Sequence, residues 1–118
     1  MSEQTIQSRI MKDINSRKGC HAFKIVSASK AGCPDILACI NGHFIGMEIK
    51  KPGEIPTPQQ AHRLTQIRSS GGVSVWFDSF DSYFDWIERF IPRALFEVDD
   101  SFRELAPPTA KIIEELMI

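Results

Sequence analysis

Apolar residues recur along this chain at two periods, and the switches between them mark out its elements. Ile6, Ile10, Met11 and Ile14 fall at helical spacing. That predicts a first helix, capped at Ser2 or Thr5, running to about Arg17 and stopped by Gly19. Over residues 21–27 the period shortens to two, with Phe23, Ile25 and Ser27 on one face and Ala22, Lys24 and Val26 on the other, the pattern of a strand. Residues 27–32 are small and polar and read as a loop with Lys30 at its tip. Ile36, Ala38 and Ile40 then alternate up to Asn41-Gly42, and Ile45, Met47 and Ile49 alternate after it. Asn-Gly between apolar runs is a strong hairpin signal, because a type I′ turn needs positive φ at both central residues.

The hairpin covers about residues 35–51 and ends at Pro52-Gly53. Its isoleucine face is expected in the core. The other face carries Leu37, Cys39 and Phe44, which predicts a central strand pair with helices above and below. Thr57 is a good N-cap and Pro58 a tolerated first helical residue, so a second helix is expected over residues 59–69, with Ala61, Leu64 and Ile67 inward and Gly71-Gly72 as its stop. Residues 73–77 read as a strand. Asp78 or Ser79 caps a third helix containing Phe80, Tyr83, Phe84, Ile87 and Phe90, which Pro92 closes. Thr109 can cap a last short helix with Ile112, Ile113, Leu116 and Met117 on one stripe. The order, α-β-β-β-α-β-α plus a C-terminal helix, predicts an α/β fold: a mixed sheet flanked by helices. Residues 1–90 form the main domain. Residues 91–118 form an extension on that domain or at a dimer interface.

The hairpin also places chemistry. If Asn41-Gly42 is a two-residue loop, Ile40 faces His43, and counting back puts Asp35 opposite Glu48 on the same face. Lys50 lies two residues further along that face. Like charges directly opposed destabilise a sheet, and a bound divalent cation reverses the penalty. On that ground, removing either acid is expected to leave the fold intact or to stabilise the metal-free protein.

Composition narrows the class. The chain has 118 residues and a net charge of −1, enough for one domain with a real core. Its N-terminus is polar and no long apolar run occurs, so a cytoplasmic, unsecreted protein with no membrane span is expected. Cys20, Cys33 and Cys39 are irregularly spaced, which suits neither a disulfide framework nor a zinc site. Charge is segregated: residues 1–72 hold ten Lys/Arg against five Asp/Glu, and residues 73–118 hold four against ten. The half with the hairpin is the basic half, which suits a polyanion.

Pro34-Asp35, twelve residues, then Glu48-Ile49-Lys50 resembles the signature of the PD-(D/E)xK nuclease superfamily. Gly32-Cys33-Pro34-Asp35 is similar to the G-x-P-D of its VRR-NUC (virus-type replication-repair nuclease) branch. Pro58-Gln59-Gln60, with Leu64, Ile67 and Gly71 following, resembles that branch's P-x-Q helix. The resemblance spans about residues 3–86 and implies a restriction-endonuclease-like fold. It also implies Mg²⁺, with Mn²⁺ possible, held by Asp35, Glu48 and the carbonyl of Ile49. Glu3 resembles an N-terminal helix acid that completes such a site. Lys50 would orient the attacking water or stabilise developing charge, and Gln60, with Gln59 as competitor, would reach the water or a phosphate. No organic cofactor is implied.

Lys24, Lys30, Lys51 and Arg63, with His21, are candidate contacts to the DNA backbone. Each is also an ordinary surface residue. His43 and His62 lack metal-ligand spacing and read as surface or partly buried. Trp76, Phe77, Phe80 and Trp86 read as core or subunit interface, not as base-stacking residues. The expected function is a structure-specific DNA endonuclease acting on branched DNA such as four-way junctions or flaps. A homodimer is expected, working inside a bacterium or a virus-infected bacterial host. The alternative from another class is a catalytically idle DNA-binding or assembly module of the same fold.

Overall fold

The computed structural model describes residues 1–97; the expected helix at Thr109 lies outside the described residues. Helix α1 (Glu3–Ser16) starts at Ser2, whose Oγ accepts from the Thr5 N–H at 3.1 Å. Strands β1 (Cys20–Lys24), β2 (Ile36–Ile40) and β3 (His43–Ile49) follow. After them come α2 (Pro58–Ser69), β4 (Val73–Phe77) and α3 (Phe80–Glu97). The sheet order is β1-β2-β3-β4, with β1, β2 and β3 antiparallel in turn and β4 parallel to β3. Asn41 and Gly42 both have positive φ, at 49° and 87°. Ile40 faces His43 and Ile36 faces Met47, the register of a two-residue loop.

The core lies between the isoleucine face of the sheet and helices α1 and α3. Ile6, Ile10 and Ile14 of α1, the six apolar residues of the hairpin's inner face, and Tyr83 and Ile87 of α3 are all buried there. A polar knot closes the α1–α3 seam. Asp13 Oδ2 accepts from Tyr83 Oη at 2.6 Å and from Arg17 Nε at 2.9 Å, and Arg17 also reaches Glu88 at 2.8 Å. Burial, then the hydrogen bond to Asp13, holds the Tyr83 phenol protonated well above its ordinary range.

The opposite face departs from expectation. Helix α2 packs mainly on β4 and, on β3, near Gly46, so Cys39 on β2 and Phe44 at the start of β3 are exposed and Leu37 is half-buried. One helix is about 10–12 Å wide and strands lie about 4.8 Å apart, so a single helix covers roughly two of four strands. Ala61 is exposed, leaving Leu64 as the buried anchor of α2 and Ile67 half-buried. Gly46 makes the approach possible, since a Cβ there would meet Ile67 Cδ1 and Pro34 Cγ.

Two boundaries also move. Strand β1 ends at Lys24, not Ser27, because its partner β2 begins at Ile36, opposite Lys24. One further bond, Ile25 N–H to the Asp35 carbonyl at 2.7 Å, carries the pairing just past the strand end. Helix α3 passes through Pro92 to Glu97. Pro92 is exposed, so the carbonyl that loses its helical donor can be hydrated, and Ala94, one half-turn on, is fully buried. Among the described residues no helix is long and apolar enough to cross a membrane.

Candidate active site

Asp35 stands one residue before β2, Glu48 is the penultimate residue of β3, and Lys50 follows that strand. The pairing ends at Ile36 and Met47, and Asp35 and Glu48 are the next residue on either side, so the two carboxylates flank the end of the hairpin. Asp35 is fastened there: its Oδ2 accepts from the Ile49 N–H at 2.9 Å. Upstream, Gly32 has φ +78°, and a Cβ on it would lie 2.9 Å from the Gln59 carbonyl oxygen. Only glycine lets the chain turn this close under the start of α2, which explains the glycine two residues before Pro34-Asp35.

Glu48 is 2% exposed, and its Oε2 is buried without a hydrogen-bond partner. Its carboxyl is pushed up to about 8, first by burial, then by the neighbouring Asp35, with Glu3 adding and Lys50 opposing. Glu3 is half-buried on the first turn of α1 and is not brought into one cluster with the pair. Among the described residues no three His, Cys, Asp or Glu side chains lie close enough together to hold an ion.

Lys50 is almost buried, at 9% exposure. Its N–H donates to the Phe77 carbonyl at 2.8 Å, which ties it to β4, and its Nζ donates to Gln60 Oε1 at 3.3 Å. Gln60 is therefore brought to the site, though in a more constrained state than expected. The same Oε1 accepts from the Thr57 N–H at 2.9 Å, while Thr57 Oγ1 accepts from the Gln60 N–H at 3.2 Å. This is a capping box, and its signal was present in the sequence as Thr57 followed three residues later by Gln60. Gln59 instead packs against Gly32.

The candidate DNA contacts are dispersed. Lys24, Lys30, Lys51 and His21 are exposed. Arg63 is half-buried and committed within the fold, donating to the Ala31 carbonyl at 2.9 Å and to Gln66 at 2.8 Å. His62 is exposed; His43 is half-buried, its ring edge-on to Phe90. Trp76, expected in the core or at a subunit interface, is not in the core. Trp76 pairs with Glu48 across the parallel β3–β4 ladder, so it shares the face of the acidic pair, and it is 40% exposed. The signal was the alternation of β4, in which Trp76 falls opposite in phase to the buried Phe77.

Glu48 gives the metal-free protein a pH-dependent stability. Its folded pKa lies above its ordinary value of 4.5, so the fold prefers the protonated acid. That contribution is complete below about pH 4.5 and is lost as pH rises through about 8. The loss runs at on the order of 1 kcal/mol per pH unit. In chelator, stability of the wild type relative to Glu48→Gln is expected to fall across this window. Denaturation curves that stay parallel from pH 5 to 8 would contradict it.

A mixed sheet whose central hairpin carries Asp35 and Glu48-Ile49-Lys50 at one end, closed by helices, defines a nuclease fold of the PD-(D/E)xK class. Two solved structures described as a VRR_NUC domain protein and a VRR_NUC domain share it. The first has TM-score 0.66 at 22% identity, over 78% of this chain and 89% of that one. The second has TM-score 0.65 at 21% identity, over 75% and 97%. At such identities they establish the fold. No family model matches the chain. A curated relative, "Putative nuclease p44" of Acyrthosiphon pisum secondary endosymbiont phage 1, is 34% identical over 80 residues, 67% of this chain and 85% of that protein. The chain belongs to the nuclease family of that phage protein and has the VRR_NUC fold.

Proposed function

We propose that this protein is a Mg²⁺-dependent DNA endonuclease, with Mn²⁺ as an alternative ion, that cuts branched DNA such as four-way junctions or flaps. The observation that carries the reading is the hairpin end, where Asp35 and Glu48 converge beside the Lys50 ammonium. The donors fit a hard divalent cation. Two carboxylates and the Ile49 carbonyl are oxygen ligands, and Glu48 Oε2 is buried with no partner of its own. Asp35, Glu48 and Ile49 would hold the ion. When bound, such an ion polarises a phosphodiester and acidifies water.

The chain's own residues supply the rest. Lys50, held by Gln60 and by the β4 backbone, presents a fixed positive charge where a phosphate oxygen gains negative charge. Gln60, itself locked by the cap of α2, sets the position of that ammonium. Burial around Glu48 keeps competing water from the carboxylates. The exposed Lys24, Lys30 and Lys51 suit the duplex backbone flanking the scissile bond. One domain offers one such site, so symmetric incision of a junction requires a homodimer.

Cleavage of end-labelled linear duplex, flap, Y and four-way junction substrates in Mg²⁺, Mn²⁺ and chelator tests the reading. Metal-dependent incision of the branched substrates is expected, with paired cuts on the junction. Binding of DNA without incision of any substrate in either ion would leave the idle DNA-binding module as the function.

A further inference from the structure

We infer that Trp76 and the cleft beside it receive an unpaired nucleobase next to the scissile phosphate, so that the enzyme's substrate carries at least one unstacked nucleotide at the cut. This rests on the nuclease reading above and deepens it. Trp76 pairs with Glu48 in the parallel ladder, so the indole springs from the same face as the acidic pair, one strand spacing away, about 4.8 Å between backbones. The cleft has a volume of about 400 Å³, within the range of small-ligand sites. Its walls are Ile55, Pro56, Ala61, Leu64 and Trp76, with Thr65 and Arg68 at the rim.

The cleft is apolar and open where a folded domain gains nothing by openness. Ile55 is 71% exposed and Trp76 40%, although α2 and the loop before it lie alongside. Clustered exposed apolar side chains mark binding surfaces. Three facts select the base of a DNA strand as occupant. An indole offers the broad flat face on which bases stack without sequence preference. Arg68, whose Nη2 is anchored on the Ser74 carbonyl at 2.9 Å, places a cation at the rim for the nucleotide's phosphate. The neighbouring strand carries the carboxylates that act on the adjoining phosphodiester. A base still stacked in a duplex could not enter, because its two faces are already covered.

The test measures binding, so that it stands apart from catalysis. Fluorescence anisotropy in Ca²⁺ compares a fully paired duplex with a gapped or flapped duplex for wild type, Trp76→Phe and Trp76→Leu. Trp76→Leu is expected to weaken the gapped and flapped DNA by on the order of tenfold, leave the paired duplex unchanged, and be rescued by Trp76→Phe. A 2-aminopurine at the unpaired position should be quenched by wild type and not by Trp76→Leu. Equal loss on both DNAs, no loss on either, or no rescue by phenylalanine overturns the cleft assignment while leaving the nuclease reading in place. Sedimentation of the same variants covers the other occupant: a dimer that dissociates on Trp76→Leu would make the cleft a subunit contact and overturn the inference. Wild type that binds none of these DNAs overturns both readings.

Discussion

Asp35→Asn is expected to lower cleavage by about a thousandfold or more, equivalent to roughly 4 kcal/mol of transition-state stabilisation, in a protein that still folds. Asparagine keeps an oxygen that can accept from the Ile49 N–H, as Asp35 Oδ2 does, while removing the charge an ion needs. Asp35→Ala would do more damage. It leaves the Ile49 N–H without its partner, and a part-buried amide in that state costs about 1–3 kcal/mol. The expectation from facing charges alone, that losing either acid spares or stabilises the fold, therefore divides between the two residues. It is kept as the expected outcome for Glu48, which is buried, charged at a penalty and without a partner at Oε2. It fails for Asp35, which is a structural acceptor as well. Cleavage rates with thermal melts in chelator check both parts. Wild-type cleavage by Asp35→Asn, or equal melting of the two Asp35 variants, would refute the assignment.

Lys50→Ala is expected to keep Mg²⁺ binding and lose about a hundredfold or more of the chemical step, the scale seen when one preorganised donor is removed. An ammonium has no lone pair to give a metal, so calorimetric titration with Mg²⁺ should be little changed. Lys50→Arg should recover little. Lys50 is almost buried, and its Nζ meets Gln60 Oε1 in a space set by the capping box of α2. A planar guanidinium carries its charge in a different shape and cannot replace a point charge there. Loss of the Mg²⁺ isotherm in a folded Lys50→Ala protein would show that the lysine organises the site and would remove its chemical role. Gln60→Ala separates the two duties of the glutamine: it should lower the melting temperature through the lost cap and cleavage through the released ammonium.

Much of this arrangement could be read in the residues, for a specific reason. Strand side chains alternate with a strict period of two, and a two-residue Asn-Gly turn admits one register. Together these place Asp35 opposite Glu48, and they separate the buried isoleucines from the acidic face, before any tertiary contact is considered. Caps are equally local. Ser2, Thr57 and Ser79 each satisfy a backbone amide three residues on, within reach of sequence spacing.

What lay beyond the sequence is what depends on distance through space. Whether the second face of the sheet is covered depends on where a single helix lands, and α2 lands mainly on β4 and near Gly46 of β3, leaving Cys39 on β2 and Phe44 at the start of β3 open. Pro92 reads as a stop by itself, yet α3 continues past it because Pro92 is exposed and Ala94, half a turn on, is buried. Gln60 looked free to reach a phosphate, but the same atom that caps α2 holds Lys50. Trp76 read as core or subunit interface, and the parallel pairing of β4 with β3 took it out of the core and onto the face of Glu48. The local pattern thus determined the hairpin and its two carboxylates. Long-range packing decided how deeply Glu48 is buried, what holds Lys50, and which apolar residues remain open, because burial depends on neighbours brought from distant parts of the chain.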